Sequence, residues 1–163
     1  MGTRLLTEHL IKQHNPNLRY VRVRTSGMNR ADIYAWNEDL HLSAEEQARL
    51  ERFAGSYLLA HVCFHVKAYS DLRSDQVPVR DNIPELVAEA AMRKGLDQYG
   101  IVRVVNGMLP SGNIAFSRYE LTTGTIYFDM ENETAMTEIE KELLQRYLQE
   151  LIPLGATCRV NYC

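Results

Sequence analysis

Apolar residues in this chain recur either three and four apart or at every second position, and turn residues punctuate the two rhythms. Leu6 and Leu10 share a face of a helix expected over Arg4–Gln13, with Thr3 as its N-cap and Asn15-Pro16-Asn17 as its stop. Arg19–Thr25 alternates, with Val21 and Val23 on one side and Tyr20, Arg22 and Arg24 on the other. Ala31–Trp36 follows the Ser26-Gly27 turn as a second strand. Ser43 and Glu46 form a capping box, and Leu50, Phe53, Ala54, Tyr57 and Leu58 then make a helical stripe. From His61 to Tyr69 the rhythm changes to period two. Val62, Phe64, Val66 and Ala68 oppose His61, Cys63, His65, Lys67 and Tyr69.

The polar stretch Asp71–Pro84 reads as a loop, and Pro84 as the first residue of a third helix that ends at Gly95 or Gly100. The small face of that helix (Leu86, Val87, Ala90, Ala91) suits close packing on a sheet. Residues 101–130 read as a three-stranded meander, Ile101–Asn106, Asn113–Leu121 and Thr125–Met130, with turns at Pro110-Ser111-Gly112 and Thr122-Thr123-Gly124. A last helix begins near Thr137, with Glu140 completing a second capping box, and Ala156–Tyr162 closes the chain as a strand. The order αββαβαβββαβ predicts an α+β fold: a mainly antiparallel sheet of about six strands with four helices packed on it. No internal repeat is visible, and 163 residues fit a single domain spanning 1–163.

Composition narrows the class without naming an activity. Apolar residues make up 45% and charged residues 24%, as expected of a chain with a packed core. A net charge of −3 gives no general attraction to nucleic acid or anionic membrane. No apolar run approaches membrane-spanning length, and Glu8, His9, Lys12 and Gln13 interrupt the beginning where a signal peptide needs an unbroken apolar stretch. Three cysteines, at 63, 158 and 163, fit reduced thiols and a cytoplasmic location.

Three groupings carry candidate chemistry. On a strand, His61, Cys63 and His65 share one face, and their side chains are of zinc-ligand type. Two residues one step of about 7 Å apart can chelate an ion, but positions 61 and 65 are about 13 Å apart. A metal site therefore needs ligands from another element. Cys63 beside an imidazole also has the makings of a thiolate nucleophile with its base. Second, Tyr20, Arg22 and Arg24 make an aromatic and guanidinium face suited to a ligand, phosphate included. Third, Asp71, Asp75, Asp81 and Asn82 crowd one loop without the spacing of a calcium-binding loop.

The catalytic sets are all incomplete, and no cofactor is identifiable. The nine tyrosines and the arginines suit interfaces. The expectation is a non-catalytic binding or assembly module acting through protein–protein or small-ligand contacts, with Tyr20, Arg22 and Arg24 as ligand residues. The alternative is a metal- or thiol-dependent enzyme centred on His61, Cys63 and His65. A homo-oligomer or protein partner is expected, with the C-terminal strand (Val160, Tyr162) as an open sheet edge, and a nucleic-acid partner is disfavoured.

Overall fold

The computed structural model describes residues 2–77 and 83–163. Among these residues the chain forms six helices and six strands: α1 (Arg4–His14), β1 (Leu18–Gly27), β2 (Arg30–Asn37), α2 (Ala44–Tyr57), β3 (Cys63–Ala68), α3 (Asp71–Ser74), α4 (Glu85–Ala91), α5 (Gln98–Met108), β4 (Asn113–Glu120), β5 (Thr125–Glu131), α6 (Glu138–Leu151) and β6 (Thr157–Tyr162). The expected α+β class holds, but the expected single, mainly antiparallel sheet does not. The strands make two three-stranded sheets, ordered β1-β2-β3 and β4-β5-β6. In each, the first pair is antiparallel and the second parallel. The reason is connection length. A tight turn reverses the chain between paired strands, whereas a crossover helix returns it to the end from which it started.

The two sheets belong to a duplicated architecture. The elements α1-β1-β2-α2-β3 recur as α5-β4-β5-α6-β6, each starting 94 or 95 residues after its counterpart. The register recurs as well: Arg30 faces Cys63 as Thr125 faces Thr157, and Ile33 faces Val66 as Phe128 faces Val160. Both crossover helices begin with a complete capping box, Ser43 with Glu46 and Thr137 with Glu140. Both hairpin turns end on a residue in the left-handed region, Asn29 (φ 55°) and Gly124 (φ 63°). Their carbonyls accept hydrogen bonds from the first residues of the parallel strands, Cys63 (2.8 Å) and Thr157 (3.1 Å). Each unit has its own core. Ile11, Val23, Ile33, Leu50 and Val66 are buried in the first, and Ile114, Phe128, Met130, Leu148 and Leu151 in the second.

Two expected elements change identity. Ile101–Asn106 is not a strand but the body of α5. The Asp97 side chain caps that helix by accepting from the Gly100 amide, and Ile101 and Val105, four apart, are its buried face. A cap and a buried stripe override the strand preference of β-branched residues. Pro84 is the N-cap of α4, one place before the expected position, and the small face of α4 (Val87, Ala90, Ala91) packs against α1, α5 and α6 instead of a sheet. Within the loop expected over Asp71–Pro84, Asp71–Ser74 is a helical turn, and Pro78–Asn82 lie outside the described residues.

The units interlock through reciprocal apolar insertions. Leu5 of α1 packs on the second core, while Leu154, from the loop between α6 and β6, is buried in the first. The Leu154 amide donates to the Gly2 carbonyl (2.9 Å), and Thr3 Oγ1 donates to the Ala91 carbonyl (2.5 Å). Arg4 bridges Glu8 (2.8 Å) and Glu150 (2.8 Å), with all three side chains less than a fifth exposed. Leu154→Ala is expected to cost about 3 kcal/mol, because the seam is held by two backbones that cannot collapse into the void. Urea unfolding followed by fluorescence of Trp36, the single tryptophan, checks this, and a loss below about 1 kcal/mol contradicts the interlock.

Candidate functional site

The interlocking leaves two clefts, one on each side of the Pro153-Leu154 segment. The first has a volume of about 330 Å³. Its walls are apolar: Ile101 from α5, Phe116 from β4, Ile126 from β5, and Pro153, Leu154 and Ala156 from the loop entering β6. Phe116 is fixed by an edge-to-face contact with the fully buried Phe128, at a centroid distance of 6.3 Å. Around this wall stand four polar side chains, Asn29 and His61 from the first unit and Gln98 and Tyr119 from the second. Among the described residues none of these four side chains has a hydrogen-bond partner, so their donors and acceptors are available to an occupant.

Gly155 sets the geometry of this cleft. Its φ of 85° lies in the left-handed region, and a Cβ there would come within 3.1 Å of the Asn29 backbone. Its carbonyl accepts from the Asn29 amide (3.0 Å), and its own amide donates to Thr25 Oγ1 (3.0 Å). Only glycine lets the loop of one unit run this close to the hairpin turn of the other. His61 occupies the position of the first unit that Gly155 holds in the second, counted from the first residue of each parallel strand. It therefore lies before β3 and not on it.

The second cleft, about 550 Å³, is lined by Arg4, Arg22, Arg24 and Arg146, with Glu150 and Gln149. Arg22 and Arg24, expected as ligand residues, do come together here. Tyr20 does not join them: it packs on Tyr69 (5.8 Å), whose ring also meets Trp36 (5.4 Å). The guanidinium groups of the cleft are engaged within the protein. Arg4 holds Glu8 and Glu150, Arg24 reaches the Asp75 carbonyl (3.5 Å), and Arg22 and Arg146 also have interaction partners.

The three expected metal ligands are separated. Cys63 and His65 lie on the exposed outer face of β3, while His61 faces the apolar cleft. Among the described residues no group of three or more His, Cys, Asp or Glu side chains is gathered closely enough to hold a metal ion. The strand face itself is as expected, with Val66 buried and Cys63 and His65 exposed. The thiols are all free. Cys63 and Cys163 are exposed, and burial pushes the Cys158 thiol up to about 11. Among the described residues no helix is long and apolar enough to cross a membrane.

Comparison with protein families, with curated proteins and with solved structures found no match to this chain. The geometry alone carries the functional reading. Of the residues around the apolar cleft, sequence reasoning had singled out only His61. Asn29 carried a faint signal, as an asparagine in a tight turn able to take the left-handed conformation. Gln98, Phe116 and Tyr119 carried none, because they are gathered from separate elements.

The outer face of the first sheet is organised by a polar knot. Tyr34, fully buried, donates its hydroxyl to Asp75 Oδ2 (2.6 Å), and Lys67 Nζ reaches the same oxygen (2.8 Å) and Asp32 (3.5 Å). Burial, together with the hydrogen bond to Asp75, pushes the Tyr34 phenol well above its ordinary range, so it remains a donor. This knot also accounts for Asp75, which has no free carboxylate for calcium. Asp71 begins α3, and Asp81 and Asn82 lie outside the described residues. Lys67, then Tyr34, hold the Asp75 carboxyl below its usual value. A carboxylate with a lowered folded-state pKa adds stability above its unfolded value of about 3.9 and loses it as pH falls further. Lys67→Met is therefore expected to lower the urea midpoint at neutral pH, and its gap from the parent to narrow as pH falls below about 3.9. A gap unchanged between neutral pH and about pH 3 contradicts the pairing.

Proposed function

We propose that the chain is a binding module for a small, mostly apolar molecule held in the cleft between its two units. The observation that carries this reading is the pairing of an apolar wall with four polar side chains that no described residue satisfies. A volume of about 330 Å³ suits a ligand of one or two rings or a short branched chain. The apolar body of such a ligand contacts Ile101, Phe116 and Ile126, and a polar end meets His61, Asn29 or Gln98. Apolar walls supply affinity, and a few placed polar groups supply orientation.

The arginine cleft is the weaker site for a small ligand, because an incoming anion has to displace Glu8 and Glu150 from Arg4. The enzyme reading lacks support as well. Among the described residues His61 has no hydrogen-bonded nucleophile, and Cys63 lies on another face.

An environment-sensitive aromatic probe, anilinonaphthalene sulfonate, tests the reading. One probe per native chain is expected to bind and to fluoresce. Gln98→Trp, which fills the cleft from its rim, is expected to weaken binding at least tenfold while the unfolding free energy in urea stays within about 0.5 kcal/mol of the parent. Arg24→Ala, in the other cleft, is expected to leave binding unchanged. Absence of probe binding to the native chain, or binding indifferent to Gln98→Trp, overturns the reading.

A further inference from the structure

Among the described residues the lining of the apolar cleft holds no Asp, Glu, Lys or Arg. Its polar side chains are Asn29, His61, Gln98 and Tyr119, and each of them is able to donate a hydrogen bond. None is an obligate acceptor. The backbone between them is already spent. The Asn29 amide donates to the Gly155 carbonyl (3.0 Å), the Asn29 carbonyl accepts from Cys63 (2.8 Å), and the Gly155 amide donates to Thr25 Oγ1 (3.0 Å). The polar end of an occupant therefore meets side-chain donors from both units, set around the wall of Ile101, Phe116 and Ile126.

Of these lining side chains only His61 is able to carry a positive charge. Tyr119 is the other titratable group, and phenols ionise far above neutral pH. Charged residues adjoin the lining in sequence: Arg30 after Asn29, Asp97 before Gln98, and Arg118 and Glu120 on either side of Tyr119. All four lie outside the lining. The two carboxylates among them are engaged elsewhere. Asp97 accepts the Gly100 amide (2.8 Å), and Glu120 accepts the hydroxyls of Thr123 (2.8 Å) and Tyr127 (3.3 Å). Arg118 lies over the Tyr127 ring (4.2 Å). The segment 153–156 brings no titratable side chain, and on the strand after His61 the groups Cys63 and His65 occupy the outer face. A proton on His61 therefore puts a cation into the cleft with no acid in the lining to neutralise it.

We propose that the ligand of this cleft is an apolar monoanion, its carboxylate-type head held by His61 and its ring or branched chain laid on Ile101, Phe116 and Ile126. The inference rests on the reading of the cleft as a ligand site. A carboxylate only accepts hydrogen bonds, at two oxygens with about four lone-pair sites, which suits a rim of donors without a competing acid. A cationic head finds no carboxylate in the lining. A neutral head leaves the imidazolium charge unused, and charge-assisted hydrogen bonds are about twice as strong as neutral ones. Protonation turns both ring nitrogens of His61 into donors, so affinity for an anion rises as pH falls, while affinity for an uncharged ligand of the same shape stays constant. His61 is exposed at the mouth of the cleft, where water screens part of the attraction, so the effect is severalfold and not larger.

Two fluorescent probes that differ by one sulfonate make the test: anilinonaphthalene sulfonate and the uncharged N-phenyl-1-naphthylamine. The native chain is expected to bind the anionic probe roughly fivefold or more tightly at about pH 6 than at about pH 8, and the neutral probe equally at both. His61→Gln keeps a hydrogen-bonding side chain that takes no proton. It is expected to abolish the pH dependence of the anionic probe and to leave the neutral probe unchanged. His61→Lys, with a lasting charge, is expected to hold the anionic probe as tightly at about pH 8 as at about pH 6. Anionic-probe binding that Gln98→Trp blocks, but that is independent of pH or keeps its pH dependence in His61→Gln, overturns the anionic head and leaves the cleft a ligand site. So does an equal pH dependence of the neutral probe. A native chain that binds no anionic probe, or binds it indifferently to Gln98→Trp, overturns the cleft reading and this inference with it.

Discussion

The arrangement of the two units rests on the segment 153–156. Leu154 is buried in the core of the first unit although it belongs, by sequence, to the second. Gly155 makes a two-way backbone contact with the first hairpin, and its left-handed conformation and proximity to Asn29 exclude a side chain. Pro153 and Leu154 form the common wall of both clefts. A loop that in most folds simply ends a helix and starts a strand here joins the units and shapes the space between them. Its displacement would separate His61 and Asn29 from Phe116 and Ile126, and the cleft would cease to exist as one surface.

Duplication explains why the two clefts differ. Equivalent elements face each cleft, but their side chains have diverged. Gln98 at the start of α5 stands where Arg4 stands at the start of α1, and one faces the apolar cleft while the other is locked between two carboxylates in the basic one. The cores diverged in the same manner. On the central strands, Ala31, Ile33 and Ala35 of β2 correspond in register to Ile126, Phe128 and Met130 of β5. The second sheet fills with its own side chains what the first fills with Leu154 and its helices. Close packing requires such compensation, because a change of volume at one position has to be matched nearby.

This divergence is also why the repeat is hidden in the sequence. What the halves share is chemical type at a fixed spacing, Ser43 with Thr137, Leu50 with Leu144, Phe53 with Tyr147, and seldom the residue itself. The elements readable from the chain were those decided locally. Capping boxes at 43–46 and 137–140 act within four residues, and alternation at 62–68 reports one buried face. The misread elements were decided at a distance. Ile101 to Val105 is rich in β-branched residues and reads as strand until Asp97 caps it and the second core buries one side. Parallel pairing of β2 with β3 depends on where α2 returns the chain, which no local pattern encodes. The cleft lies further still from sequence: His61 was visible as a chemically able residue, while its neighbours come from five separate segments.

The edges show how the same backbone is steered to different ends by a few polar atoms. An αββαβ unit with a parallel outer strand always exposes one row of amides and carbonyls beside its crossover helix. In the second unit Gln145 reaches the Cys158 carbonyl of that row, and Gln149 the Ala156 carbonyl just before it. In the first unit the corresponding positions, Glu51 and Gly55, offer an acceptor and a void, although α2 and β3 are otherwise laid out as α6 and β6. Losing the core packing would have unfolded the unit. Losing one of these glutamines costs a single hydrogen bond, about 1 kcal/mol. Sequence change is therefore tolerated more readily at the edge than in the core.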